Sequence, residues 1–249
     1  MAGHSKWKQI KHKKAAADNK RSAVWAKSIR EITVAAKAGG GDPGMNPRLR
    51  TAIDAAKAVN MPNDNIERAI KKGTGELAGE SYEEITYEGY GPGGAAIFIE
   101  VTTDNANRTV AEIRHAFSRN GGNLGASNSV AWMFDRKGQL TIDASRVSED
   151  AVMEAALDAG AEDVVREGDQ LIVTTAPADF HQVQDALKAK GFPAVTAELG
   201  MVPRNTVRVE GADAERLLRL MEALEELDDV SKVSSNFDID AATMAEAEA

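Results

Sequence analysis

The sequence predicts a multidomain α+β protein. It has an N-terminal three-helix domain, an α/β middle domain, and a ferredoxin-like βαββαβ domain inserted into the middle one. Three observations predict this. Apolar residues recur at helical spacing as far as about residue 73, then alternate with polar ones from about residue 82. Residues 136–202 carry a strand–helix–strand–strand–helix–strand order that closes its own sheet. The short segments after Pro203 have no core of their own and most simply complete the sheet begun at residue 82. The expected domains are 1–79, then 80–135 with 203–240, then 136–202 as the insertion, with 241–249 an acidic tail.

Residues 1–16, MAGHSKWKQIKHKKAA, bury too little to fold alone and are expected to dock or stay mobile until a partner is met. A first helix is expected over about 17–38. Trp25, Ile29, Ile32 and Ala36 line one face, and Lys20, Lys27, Arg30 and Lys37 form a basic ridge nearly opposite. The run Gly39-Gly40-Gly41-Asp42-Pro43-Gly44 stops it as a flexible hinge. A second helix starts at Asn46-Pro47, with Asn as N-cap and Pro at the first helical position. A third follows Asn60-Met61-Pro62, with Asp64 and Glu67 in a capping-box pattern and Gly73 as its stop.

Strands are expected at 85–88 and 95–101, flanking Gly89-Tyr90-Gly91-Pro92-Gly93-Gly94 as a long hairpin turn. A helix over about 106–120 ends at Gly121-Gly122, and a strand spans 129–134. In the insertion, strands at 139–143, 162–166, 170–175 and 194–202 alternate with helices at 149–159, capped by Ser148, and 178–190. A strand at 206–210, a helix bearing Leu217, Leu220, Met221 and Leu224, and a strand at 230–237 close the pattern.

Charge is divided along the chain. Residues 1–75 hold 16 Lys/Arg against 6 Asp/Glu, whereas residues 76–249 hold 14 against 33, within a net charge of −9. A basic module on an acidic body suits a nucleic-acid binder: lysines release counterions condensed on phosphates, and the acidic part holds the remainder off the polyanion. The absence of cysteine excludes disulfides, thiolate metal sites and a Cys nucleophile, and fits a reducing cytoplasm. No apolar run approaches a membrane span, and the basic N-terminus lacks the apolar core of a secretory signal.

No catalytic constellation stands out. His4, His12, His115 and His181 are scattered, without metal-ligand spacing, so neither cofactor nor metal is expected and the chain is read as non-enzymatic. The Gly39–Gly44 run follows a helix, which is not the context of a phosphate-cradling loop. Tyr87 and Tyr90, on a Gly-rich tip, are possible contact residues that stack on bases or grip a partner. The short turn between the second and third helices has helix-turn-helix spacing, but Asp64 and Glu67 sit where phosphate repulsion would be greatest. The nucleic-acid-binding candidates are Lys6, Trp7, Lys8, Lys11, Lys13 and Lys14 in the tail, Lys20, Arg21, Lys27, Arg30 and Lys37 on the first helix, and Arg48, Arg50, Arg68, Lys71 and Lys72 beyond it. So dispersed a set favours structured RNA over a promoter duplex read by one helix.

Four long motifs carry a resemblance: MAGHSKWKQIKHKKAAADNKR, AAKAGGGDPGMNPRLRTAI, YEGYGPGGAAI and DNANRTVAEIRHAFSRNGGNLGASNSVAW. Together they make the chain similar to the YebC/PmpR family over nearly its whole length. The resemblance implies the same three-domain layout and two non-enzymatic roles. One is DNA-binding transcriptional regulation. The other is translation, since relatives act at the ribosome on stalled proline-rich nascent chains and a mitochondrial relative activates translation of a respiratory subunit. Ser22-Ala23-Val24 departs from the Gly-Lys-aromatic sequence of many relatives and loses one basic residue there. The expected partners are therefore the ribosome and its RNA, or promoter DNA as the alternative; a protein adaptor acting through the acidic domains is a third reading.

Overall fold

The computed structural model describes residues 18–240, with side chains from residue 22 onward. They divide into two compact units, one running to Phe134 and resuming at Pro203, the other Asp135–Val202. The expected α+β class holds for both.

The first unit begins with α1 (Asp18–Gly39), α2 (Pro47–Ala58) and α3 (Asn63–Gly73). Their core joins Ile32, Ala36, Leu49, Ile53, Met61 and Ile66, with Trp25 and Ile29 packed against it, so the apolar stripe of α1 does face inward. The glycine-rich run is not a loose hinge. Asn46 is buried; its amide donates to the carbonyls of Ala35 and Gly40, and its Oδ1 accepts from the Leu49 N–H at 3.0 Å. One side chain thus caps α1 and α2 together. At the end of α2, Asn60 adopts φ 56°, and the N–H groups of Asn60 and Met61 reach back to Lys57 and Ala56, a Schellman closure. The expected capping box on α3 does not form. Pro62 takes the N-cap position in extended backbone, which places Asp64 inside the helix with no cap bond.

The α/β part has β1 (Glu83–Tyr90), β2 (Ala96–Thr103), α4 (Ala106–Arg119), β3 (Asn123–Leu124), and later α7 (Gly211–Glu226) and β9 (Val230–Ser235). The sheet order is β3-β1-β2-β9, with β1, β2 and β9 antiparallel to their neighbours. Ile97, Ile99 and Val101 face α4 and α7 in a core with Phe117, Leu217, Leu220 and Met221. By the two-residue period, Glu88 and Phe98 point to the other face, where Phe98 meets Phe134 at 6.1 Å between ring centroids.

Three expectations fail in this region. The segment at 206–210 does not enter the main sheet; β8 (Val207–Arg208) forms a separate parallel ladder with β10 (Phe237–Asp238). The cause is Asn236, whose Oδ1 and N–H bind the N–H and carbonyl of Ala96 and break the last strand in two. Residues 129–133 are not a strand but a loop ending in a 3-10 turn, Ala131–Met133, because Glu88 takes the N–H groups of Asn128, Val130 and Ala131; the strand begins only at Phe134. The 89–94 run is not a projecting tip. β1 extends to Tyr90, and a Cβ on Gly89 or Gly91 would meet Phe117 or Leu217 at 2.7 and 2.6 Å.

The second unit comprises most of β4 (Phe134–Asp143), then α5 (Glu149–Asp158), β5 (Asp163–Glu167), β6 (Gln170–Thr175), α6 (Phe180–Ala189) and most of β7 (Thr196–Pro203). The order β5-β6-β4-β7 is that of a ferredoxin-like sheet. Leu140, Ile142, Leu171 and Val173 pack against Val152, Phe180, Val183 and Leu187 as a core of the unit's own. Ser148 stands at the N-cap of α5, as expected, but its hydroxyl makes no cap bond.

Candidate nucleic-acid interface

The basic residues fall into three groups once the helices are in place. Lys6, Trp7, Lys8, Lys11, Lys13 and Lys14 lie outside the described residues, as do the side chains of Lys20 and Arg21. The second group, the expected ridge on α1, is turned toward the α/β part of the same unit. Lys27 Nζ donates to the Glu225 carbonyl at 2.6 Å, at the C-terminal end of α7. Arg30 donates to the Asp228 carbonyl, approaches Asp229 at 3.7 Å and lies 5.9 Å from the Tyr82 ring centroid. Lys37 reaches Ser81 Oγ at 3.1 Å. A helix C-terminus has unpaired carbonyls and a partial negative charge, so the end of α7 attracts cations as a phosphate would. Lys27 and Arg30 thus belong to an internal docking face, which corrects their expected outward orientation, whereas Lys37 stays exposed.

Asp229 centres this junction. Its side chain is 3% exposed and accepts from Arg108 at 2.6 Å, Thr109 at 2.7 Å and Thr103 at 3.1 Å. Burial pushes its carboxyl up, but the bonds from Arg108, Thr109 and Thr103, with the charge of Arg108, outweigh burial and hold it below the ordinary value. The neighbouring cleft of about 590 Å³ sets Arg30 and Arg108 among Glu80, Asp104, Glu112, Glu226, Asp228 and Asp229. Acids outnumber bases there, so the cleft repels a phosphate.

Arg48, another candidate, is also committed. Its guanidinium bridges Glu31 at 2.9 Å and Glu84 on β1 at 2.5 Å. The bond to Glu84 is the largest influence raising its pKa. Arg50 is half-buried. The third group, Arg68, Lys71 and Lys72 on α3, is exposed, and two of these cations lie in the helix's last turn. Lys57, in the last turn of α2, is exposed as well and was not singled out from the sequence. Asp64 and Glu67 are exposed at the other end of α3. The cationic part of this helix is therefore its C-terminal half, opposite to a reader that enters a groove N-terminus first.

Tyr87 lies within β1, half-buried and packed on the main core, so it is no tip residue. Tyr90 is 37% exposed, and its hydroxyl donates to the Ser129 carbonyl at 2.9 Å. Trp132, missed in the sequence, is 63% exposed beside it. Periodicity marked it as part of a strand, and only the loop geometry turns it outward. Among the described residues, no group of three or more His, Cys, Asp or Glu is placed to hold a metal ion, and no helix is long and apolar enough to cross a membrane.

The comparisons agree with this architecture. Residues 5–76 match the family model described as the TACO1/YebC protein N-terminal domain, and residues 82–237 match that of the TACO1/YebC second and third domain. A relative from Gemmatimonas aurantiaca is 61% identical over 99% of this chain and all of its own length. One from Trichlorobacter lovleyi is 58% identical over 98% of each chain. Both are named probable transcriptional regulatory proteins. The crystal structure of a conserved hypothetical protein from Aquifex aeolicus superposes with a TM-score of 0.82 at 48% identity, covering 90% of this chain and 92% of that one. With both family models matched in order and relatives aligned nearly end to end, the chain belongs to the TACO1/YebC family.

Proposed function

We propose that the protein is a non-enzymatic nucleic-acid-binding regulator of gene expression that works on the ribosome in the cytoplasm. It would contact ribosomal RNA through the lysine-rich N-terminal residues and the C-terminal half of α3, and relieve stalls on proline-rich nascent chains. The observation that carries this is the charge division: an excess of basic residues in 1–75 and of acidic ones in the remainder. With Lys27, Arg30 and Arg48 engaged within the unit, the favoured phosphate contacts are Arg68, Lys71 and Lys72 together with the basic residues before Ser22. Stall relief then acts by positioning the reactants, with no catalytic side chain.

The names of the relatives favour a second reading, a promoter-binding transcriptional regulator. The placement of Asp64 and Glu67 at the N-terminal end of α3 weighs against it. The test is a reconstituted translation system with a proline-run template. Full-length protein should speed synthesis through the run, and protein lacking residues 1–16 should not. Unchanged stalls, together with nanomolar binding of one defined duplex at physiological salt, would establish the transcriptional reading instead.

A further inference from the structure

We infer that Tyr90 and Trp132 form a platform on which an unpaired nucleotide base stacks. The inference rests on the nucleic-acid reading above and adds a contact outside the basic helices.

The platform is built from the inside out. Glu88, 4% exposed on β1, accepts the N–H groups of Asn128 at 2.7 Å, Val130 at 2.7 Å and Ala131 at 2.8 Å. The Gly125 N–H binds the Glu88 carbonyl at 2.7 Å. A buried carboxylate with three N–H donors fixes a loop as a bound anion fixes a nest of amides. Asn128 is held at φ 66° within it. The loop then presents the Ser129 carbonyl, which accepts from both Tyr90 Oη at 2.9 Å and Trp132 Nε1 at 3.1 Å. Both ring edges are thereby committed. What stays open on the exposed indole is its apolar area, on a side chain already held in place, so little side-chain entropy is lost on binding.

The chemistry of the surroundings favours a base over a protein. Residues 121–133 contain no Asp or Glu, and Glu88 is buried and satisfied. The exposed neighbours Ser127 and Asn128 are small and polar, suited to hydrogen bonds with base edges. Among the described residues of this unit, the other large exposed hydrophobics, Met45 and Leu77, belong to the three-helix part, so no exposed aliphatic residue among them adds to the rings as in the core of a protein interface. Arg204, exposed, adjoins the turn through its N–H bond to the Met133 carbonyl at 2.9 Å.

The test compares a labelled single-stranded oligouridine with an RNA duplex of equal length, on the full chain. Trp132→Ala should weaken the single strand about tenfold and leave the duplex unchanged, whereas Trp132→Phe should restore most of the loss. A matched melting curve shows that the fold is intact. An unchanged single-strand affinity, or an equal loss on both RNAs, overturns the platform while leaving the wider reading standing. Failure of the unsubstituted protein to bind either RNA overturns both. A photocrosslinker at Ser127 should label RNA in a lysate; labelling of protein alone would make this face a protein-docking surface and sink the proposal.

Discussion

A carboxylate that is almost wholly buried keeps its charge only where donors surround it, and Asp229 has three. Asp229→Asn removes the charge that Arg108 and Arg30 face and turns an acceptor into a donor. It should cost about 1.5–3 kcal/mol in a denaturant titration. The sign of the pH dependence follows from the lowered carboxyl. A group held below its unfolded value, about 3.9, contributes fully above that value and loses its contribution as pH falls toward the folded one. Unfolding measured from pH 6 to pH 2 should therefore be less steep in Asp229→Asn; an identical pH profile would refute the assignment. Glu88→Gln makes a sharper demand, because one carboxylate oxygen serves Asn128 and the other serves Val130 and Ala131. An amide puts a donor against at least one of those N–H groups. The expected loss is about 1.5–3 kcal/mol, with faster hydrogen exchange confined to residues 125–131. Uniform exchange changes would contradict this local role. Neither carboxylate was visible in the sequence, since a buried acid and a solvated one look alike until its donors, distant along the chain, are in place.

The elements were legible where local chemistry decides them. The apolar stripe on α1 and the Asn46-Pro47 start of α2 are present, whereas α3 runs through Gly73 and is closed by Gly75 at φ 85°. What misled was a stripe's partner. Lys27 and Arg30 have the spacing of a solvated ridge, and the same spacing serves to dock on the carbonyls at and just beyond the end of α7. The capping box failed for a similar reason: Pro62 set the helix start two residues before the expected cap at Asp64, a shift within the usual uncertainty of sequence-read boundaries. Gly73, in the last turn of α3, sits where that helix meets α1. A Cβ there would lie 2.3 Å from the Thr33 carbonyl and 2.7 Å from Ala36 Cβ, so α1 and α3 approach as closely as glycine allows. Alanine gains about 1 kcal/mol or less in helix propensity. The clash with backbone costs about 1–3 kcal/mol, and the clash should win. Gly73→Ala should lower the melting temperature; an increase would show that the helices can part without cost.

At the scale of the whole molecule, the insertion explains how one chain holds two compact units. The chain leaves the first unit at Phe134 and re-enters at Pro203, and the Arg204 N–H bonds the Met133 carbonyl at 2.9 Å, so exit and return lie side by side. Adjacent ends let a domain be inserted without disturbing its host. β4 and β7, which begin and end the second unit, are also neighbours in its sheet. Residues 135–202 should therefore fold when expressed alone. Their strands pair only among themselves, and Leu140 and Leu171 are buried in one core with Val152 of α5 and Phe180 of α6. A single core of this size supplies only about 3–5 kcal/mol. The excised unit should thus melt cooperatively but at low temperature, with dispersed amide resonances. Gly138→Ala sharpens the test, because a Cβ on β4 would lie 2.4 Å from both Phe180 Cδ2 and Thr175 Oγ1. With so small a margin, that substitution should unfold the fragment at temperatures where the unsubstituted one is folded. A fragment that binds hydrophobic dye and melts without a transition, or one indifferent to Gly138→Ala, would mean that this core depends on its host.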